Sequence, residues 1–233
     1  MSMKKIKITI VFLLLAVFAS VFYYKKTSEN AVLNKEAISE EILEKSDPEI
    51  VVEKEVEKQE EFFEPILPDS VLLKVPFMSQ APFARWDALH EDACEEASLI
   101  MLKYFSDGKK SISKEQAEKE IQDMIAFEKK NKYGISITLD ELSEVARKYY
   151  NLKTGRVEKN ITIDDIKKEL SDGKPVIVGA AGKVLPNPYF KNGGPNYHML
   201  VVVGYDENGF ITNDPGTRLG EGFRYAFEDL YKS

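Results

Sequence analysis

The sequence predicts an α+β domain in which an N-terminal helical part packs on a C-terminal antiparallel sheet. Three observations carry this expectation. Between Asp92 and Leu170, apolar residues recur at helical spacing behind residues suited to cap a helix. After Asp172-Gly173 the pattern changes to short runs, Pro175 to Ala180, His198 to Tyr205 and Phe210 to Asn213, which read as strands. A turn sequence from Asp206 to Gly209 joins the last two as a hairpin.

The chain has 233 residues, 43% hydrophobic and 11% aromatic, which suffices to fill the core of one domain and excludes wholesale disorder. Its net charge of −7 is unevenly spread. Residues 1–26 carry five Lys and no acid, residues 27–70 carry 14 acidic and 4 basic side chains, and residues 71–233 carry 25 and 23. A nucleic-acid partner is not expected, because a basic face that could replace counterions on phosphates is missing from this balance.

Lys4, Lys5 and Lys7 precede a 17-residue apolar run, Ile8 to Tyr24, followed by Lys25 and Lys26. This is read as an export signal over residues 1–26, and more specifically as an uncleaved anchor with Tyr23 and Tyr24 at the membrane interface. Val17-Phe18-Ala19 offers a cleavage site as the alternative. The Lys excess before the run places the N-terminus in the cytoplasm and the domain outside it, membrane-anchored in a single pass or secreted if the signal is cut. Residues 27–70, rich in Glu with Pro48, Pro65 and Pro68, read as an extended acidic tether; one amphipathic helix from Lys35 to Lys45 is the other reading.

The folded domain spans residues 71–233. Val71 to Gln80 reads as its entering strand. Asp92 is expected to cap the first helix with Glu95 completing a capping box, and the stripe of Ala93, Ala97, Ile100, Met101, Tyr104 and Phe105 runs on to Gly108. Ser113 with Gln116, Thr138 with Glu141, and Thr162 open three further helices ending near Lys130, Tyr150 and Leu170.

Cys94 is the chain's one cysteine, and His90 and His198 are its two histidines, which excludes internal disulfides and a zinc site of clustered Cys and His. In a first helical turn, Cys94 feels the positive end of the helix dipole and free amides, both favouring thiolate. Asp92, Glu95 and Glu96 oppose this, so a cationic partner is required. His198 qualifies. If its strand pairs with that through Ile211 about the Asp206–Gly209 turn, the residue opposite 198 is about 217, within reach of Asp214. That carboxylate would hold the imidazole's tautomer and stabilise its charged form. Asn213 is a second candidate for this role. The plain alternative is a buried cysteine, a solvated histidine and a turn at Asp214-Pro215-Gly216.

Five blocks in order resemble one family: Val75-Pro76-Phe77-Met78-Ser79-Gln80; Asp92-Ala93-Cys94-Glu95-Glu96-Ala97; the Thr162-to-Gly173 helix running into Pro175-Val176-Ile177-Val178; Tyr197 to Asp206; and Asn213-Asp214-Pro215-Gly216. They resemble the double-glycine leader peptidase-like, or bacteriocin-processing, branch of the papain-like cysteine peptidases (the family thirty-nine-like group). The resemblance covers residues 71–233. It implies a papain-like fold with Cys94 as nucleophile, His198 as general base and acid, Asp214 orienting the histidine and Gln80 as oxyanion-hole donor. Two departures stand out. Glu95 follows the cysteine where leader-processing members usually carry Gly, and Gln80 lies farther upstream of it than is usual. Leader processing during export is not expected, because the chain ends at Ser233 without the transporter segments that accompany it.

The expected function is therefore a thiol hydrolase cleaving peptide or amide bonds through a Cys94 acyl-enzyme, with a peptide or protein substrate, the cell membrane as a further partner, and no metal or organic cofactor. An inactive cell-surface binding module of the same shape and a thiol-dependent acyltransferase are the alternatives. His90 reads as a solvated loop residue. Phe83, Arg85 and Trp86 read as groove lining or packing anchors. Tyr197 and the Pro186-to-Pro195 loop read as a lid or a plain surface loop.

Overall fold

The computed structural model describes residues 67–233. The expected membrane segment, and the acidic tether up to residue 66, lie outside the described residues. Among the described residues, no helix is long and apolar enough to cross a membrane.

Helices α1 (Cys94–Ser106), α2 (Lys114–Lys130), α3 (Leu139–Tyr150) and α4 (Ile163–Ser171) precede most of the sheet. The last three begin as their sequences require. The hydroxyls of Ser113, Thr138 and Thr162 accept from the N–H groups of Gln116, Glu141 and Asp165, and each of those side chains reaches back to the cap amide. Each cap contributes about 1 kcal/mol by satisfying amides that the helix leaves unpaired. Helix α3 stops at Asn151, whose left-handed backbone, φ 54°, ends the α-helical ladder.

Helix α1 departs from the expectation. Its N-cap is Ala93, which makes no side-chain cap, and Asp92 is exposed. The carboxylate that would have completed a box at Glu95 is turned inward onto the Cys94 thiol.

The sheet is built around β3 (His198–Asp206) and is antiparallel throughout. Strands β1 (Val71–Leu72) and β2 (Val176–Ala180) lie end to end along one edge of β3, while β4 (Gly209–Asn213) takes the other and carries β5 (Phe223–Tyr225) outside it. Gly204 lets β1 dock, since a Cβ there would run into the backbone carbonyl of Val71. The β3–β4 register shifts between Val202 and Gly204. This irregularity moves the pairing by one residue relative to an unbroken hairpin and carries the start of β3 toward the Asp214 loop.

Alternation along β3 divides the core. Met199, Val201 and Val203 pack with Leu99, Ile100, Ile121 and Val145 of α1, α2 and α3. Leu200, Val202 and Tyr205 pack on the other side with Ile166 and Leu170 of α4 and Leu230 of α5 (Phe227–Tyr231). Helices thus cover both faces of the sheet, where the sequence suggested one helical layer. The reason lies in α4. Gly173, at φ 79°, turns the chain straight from this helix into β2, so α4 folds back on the face that α1 leaves free.

The entering strand is shorter than expected. Only Val71 and Leu72 pair in the sheet, and Leu73 N–H adds one bond to Val203 O at 2.8 Å. Beyond Pro76, which has no N–H to offer a ladder, the chain crosses to the loop after β4, where Gln80 N–H donates to Pro215 O at 3.0 Å. Strand β5 and helix α5, of three and five residues, are too short to register as periodic patterns in the sequence.

Candidate active site

Cys94 is the first residue of α1 and is buried. Its own N–H, at that position, has no intrahelical acceptor. Its Sγ lies 3.4 Å from the N–H of Met199, which donates to it from the start of β3. The thiol in turn donates to Glu95 Oε2 at 3.0 Å. Helix α1 and strand β3 thereby bring Cys94 against Met199, the chain neighbour of His198, although 104 positions separate Cys94 from His198 in the sequence.

His198 is the first residue of β3 and is 1% exposed. Its Nε2 is 2.8 Å from Asp214 Oδ1, and its ring packs edge-on against Phe190 with centroids 5.2 Å apart. Gly216 leaves room for the ring, because a Cβ there would sit 2.9 Å from His198 Cε1 and 3.2 Å from Asp214 Oδ1. Asp214 is fully buried and accepts four hydrogen bonds. His198 Nε2–H and the Gly216 N–H, at 2.9 Å, reach Oδ1; the Tyr225 hydroxyl, at 2.6 Å, and Asn187 Nδ2–H, at 3.1 Å, reach Oδ2. Burial by itself would raise the Asp214 pKa, but the imidazole and these donors outweigh it and hold the carboxyl below its usual range. Asp214 therefore stays ionised beneath the imidazole.

Asn213, the other candidate for orienting the ring, faces away from it. Its Nδ2–H donates to Val75 O at 3.0 Å and its Oδ1 accepts from Gly222 N–H, so its work is to tie the entering segment to the sheet. Gln80 is buried, but both N–H groups of its amide are engaged by backbone carbonyls, His90 O at 2.8 Å and Glu91 O at 3.1 Å. In this arrangement Gln80 braces the loop leading to Cys94, and an oxyanion would have to draw one of those hydrogens away.

His90 is not the solvated residue its acidic neighbours suggested. It is 3% exposed, with Nδ1 2.7 Å from Asp87 Oδ1 and Nε2 3.0 Å from Glu118 Oε2 on α2. With a carboxylate on each ring nitrogen, the imidazole ties the loop before α1 to α2. Phe83 and Trp86, in the segment before α1, and Tyr197, just before β3, are exposed. Burial first, then the charges of Glu95 and Cys94, push the Tyr197 hydroxyl up to about 12, which places it in the electrostatic reach of the thiol.

The electrostatics at Cys94 oppose a resting ion pair. Burial, then the charge and hydrogen bond of Glu95, push the thiol well above its ordinary value, with only the Met199 amide pulling it down. No hydrogen bond joins Sγ to the His198 ring among the described residues. The expectation of a sulfur held as thiolate by the imidazole is thus not met in the resting structure: burial first, and then the carboxylate beside the thiol, favour its protonated form.

Behind Cys94, Glu96 and Glu128 form a buried carboxyl pair between α1 and α2. Glu96 Oε2 and Glu128 Oε1 have no protein donor, and a proton shared between the two carboxyls supplies one. Burial first, then the hydrogen bond and charge of Glu128, raise Glu96 well above the carboxylate range. A carboxyl with a raised folded-state pKa stabilises the fold fully below its unfolded value, about 4.3 for Glu, and loses that contribution as pH rises through the folded value. Glu96→Gln keeps a neutral donor to Glu128 and removes this loss. It is expected to raise the thermal midpoint more at pH 8 than at pH 5, by an increment on the order of 1 kcal/mol. Parallel pH profiles of wild type and variant in thermal melts would show that the pair carries no shared proton.

Nothing in the sequence singles out Asn187, Tyr225 or Phe190, and Gly216 reads there only as part of a turn and of the block ending at it. Tyr225 lies in the short β5 and Asn187 in the Pro186-to-Pro195 loop, where nothing in the local pattern marks either one as a partner of Asp214.

The Peptidase_C39 like family model matches residues 72–233, the whole described domain but for its first residues. The chain belongs to this family. The C39-like domain shares 20% identity with the crystal structure of a candidate C39-like peptidase from Bacillus anthracis, over 71% of this chain and 93% of that one, with a TM-score of 0.47. No curated protein sequence matches it. Membership of a C39-like cysteine peptidase family accords with the single buried cysteine at a helix start and agrees with the resemblance read from the sequence.

Proposed function

We propose that this C39-like domain hydrolyses peptide or amide bonds through an acyl-enzyme on Cys94. The observation that carries the reading is the meeting of a helix-initial cysteine with the strand start that bears a buried His198–Asp214 pair, 2.8 Å between Nε2 and Oδ1. With Nε2 turned to Asp214, the ring's Nδ1 is left to take the thiol proton. Sγ then attacks the carbonyl carbon, and the imidazolium protonates the leaving amine as the tetrahedral intermediate collapses to the thioester. Water, deprotonated by the same imidazole, releases the acid. The free N–H of Cys94 is the first oxyanion donor. Gln80 becomes the second by exchanging one of its carbonyl partners.

The domain is further proposed to work outside the cytoplasm on a membrane anchor, on the strength of the Lys-flanked apolar run from Ile8 to Tyr24. The raised thiol and its bond to Glu95 favour a second reading, a binding module that does not turn over.

One experiment separates the two. The full chain is treated with an epoxide-type thiol inactivator and with a peptide library, and both adducts and cleavage products are read by mass spectrometry. A hydrolase gives an adduct on Cys94 and cleaved peptides whose appearance the inactivator suppresses. A binding module gives neither. Products joined to an added amine in place of water identify acyl transfer.

A further inference from the structure

We infer that Glu95 is a positioning residue that holds the Cys94 proton in the resting enzyme, so that the sulfur becomes nucleophilic only when the Glu95 carboxylate gives up that hydrogen bond. The inference rests on the proposed role of Cys94 as nucleophile and adds to it a resting state and a residue that sets it.

The geometry is specific. Glu95 is 1% exposed although its type is ordinarily a surface residue, and it lies in the first turn of a helix where a carboxylate would normally reach back to the cap. Instead its Oε2 accepts from Cys94 Sγ at 3.0 Å. Its Oε1 is buried with no hydrogen-bond partner. A carboxylate kept in such a place, with one oxygen on the thiol and the other near backbone amides but without a well-formed hydrogen bond, costs the fold stability, typically about 1–3 kcal/mol for an unsatisfied buried polar group. A packing role would be met by Gln or Leu at lower cost.

The groups around the thiol give the same direction. On α1 these are Glu95 and Glu96; on β3, His198, with Tyr197 just before it; from α2, Glu128; and behind the ring, Asp214. His198 is the one basic side chain of the set, and its Nε2 is already engaged by Asp214. Burial, partly offset by the thiol and by nearby amides including that of Ile137, raises the pKa of Glu95 itself. Cys94 and Glu95 thus compete for one proton at a site where His198 is the remaining acceptor.

On activation the S–H bond breaks, its proton passes to the His198 imidazole, and the electron pair left on sulfur forms the new S–C bond as the carbonyl π pair moves onto oxygen; when that pair returns, the C–N bond breaks and the leaving amine takes the proton from His198, leaving the thioester. Glu95 neither gains nor loses a proton over the cycle. It releases an S–H donor and is left facing the space beside the thioester, so a substrate group that donates to its carboxylate, a backbone N–H or an amine, would lower the cost of that release.

The test titrates the thiolate by its ultraviolet absorbance in full-length wild type, Glu95→Gln and Glu95→Asp, each corrected for tyrosine with Cys94→Ala. This reads ionisation without any need for a reagent to reach the sulfur. Glu95→Gln, which replaces an acceptor by a donor at the same spot, is expected to lower the midpoint by at least about one unit, a tenfold rise in thiolate fraction at neutral pH. Glu95→Asp, with a shorter reach, is expected to fall between. The acidic limb of kcat/KM should move down with the same ordering, whereas a merely structural residue would lower kcat/KM at every pH without moving the limb. An unchanged midpoint in Glu95→Gln with a native melting transition overturns the inference, and if that variant does not fold, an unchanged midpoint in Glu95→Asp does so. Hydrolysis that persists in Cys94→Ala overturns the peptidase reading instead, and the two failures are read from different variants.

Discussion

Replacing Cys94 by Ala is expected to abolish hydrolysis, lowering kcat/KM by at least about 10⁴-fold and leaving at most the background due to binding and oxyanion contacts. The substitution removes the atom that forms the covalent bond, so a neighbouring group cannot substitute for it; the other sulfurs of the chain are thioethers. It also removes the acceptor for Met199 N–H and the donor to Glu95. Cys94→Ser, which keeps a donor and acceptor at the site, is therefore the control for fold, and it should be inactive with a near-native thermal midpoint. His198→Gln is expected to match the loss. Glutamine is the better choice at 198 than alanine, since truncation would remove a hydrogen-bond donor from the buried, ionised Asp214, a penalty of about 1–3 kcal/mol. Steady-state rates on a peptide identified from the library, with thermal melts of each variant, decide the matter. Wild-type turnover by Cys94→Ala would remove the nucleophile from the account.

Asp214→Asn is the second large effect. The carboxylate accepts from His198, Gly216, Tyr225 and Asn187, and its low pKa means that it does so as an anion at neutral pH. An amide offers one accepting oxygen and turns two N–H donors toward groups that are themselves donating. The imidazole then loses the partner that fixes Nε2–H, and the competing tautomer carries its proton toward the sulfur where an acceptor is needed. A fall in kcat/KM on the order of 10²–10⁴-fold is expected, together with lost stability of about 1–3 kcal/mol for each donor left unsatisfied. The pH signature follows from the sign of the shift. A carboxyl with a depressed folded-state pKa contributes stability above its unfolded value, about 3.9 for Asp, and loses it as pH falls through the folded value. Wild type should therefore lose stability in acid more steeply than Asp214→Asn. Tyr225→Phe, which removes one of the two donors to Oδ2, should keep most activity. A wild-type rate in Asp214→Asn would mean that the carboxylate only fills space.

These two effects fall on residues that the sequence made visible for a physical reason. Cys94 and His198 are rare residue types placed at an expected helix start and strand start, and Asp214 lies where a hairpin from a recognisable turn must bring it. The shifted register between Val202 and Gly204 was invisible, since an irregularity leaves no mark on alternation when the residues leading into it, Met199 to Val203, are all apolar. Three helix starts could be read because their capping boxes are local, written in residues three apart. The fourth was misread at Asp92 and Glu95 by the same rule, because Glu95 turns instead to the adjacent Cys94 thiol, and that thiol is buried against the start of β3, a strand distant in sequence. His90 failed likewise: its second carboxylate, Glu118, is contributed by another helix. Local hydrogen bonding is legible in sequence, and the tertiary partners of buried ionisable groups are not. Tyr225, Asn187 and Glu128 belong to the second kind.

The most direct measurement is the trapping of the acyl-enzyme. Full-length protein turning over a peptide ester is quenched in acid within the first turnovers, digested, and read by mass spectrometry. The mass of the substrate's acyl group is expected on the fragment holding Cys94, accumulating in wild type and missing in His198→Gln. Product release with Cys94 unmodified at every quench time, under conditions that preserve thioesters, would contradict it.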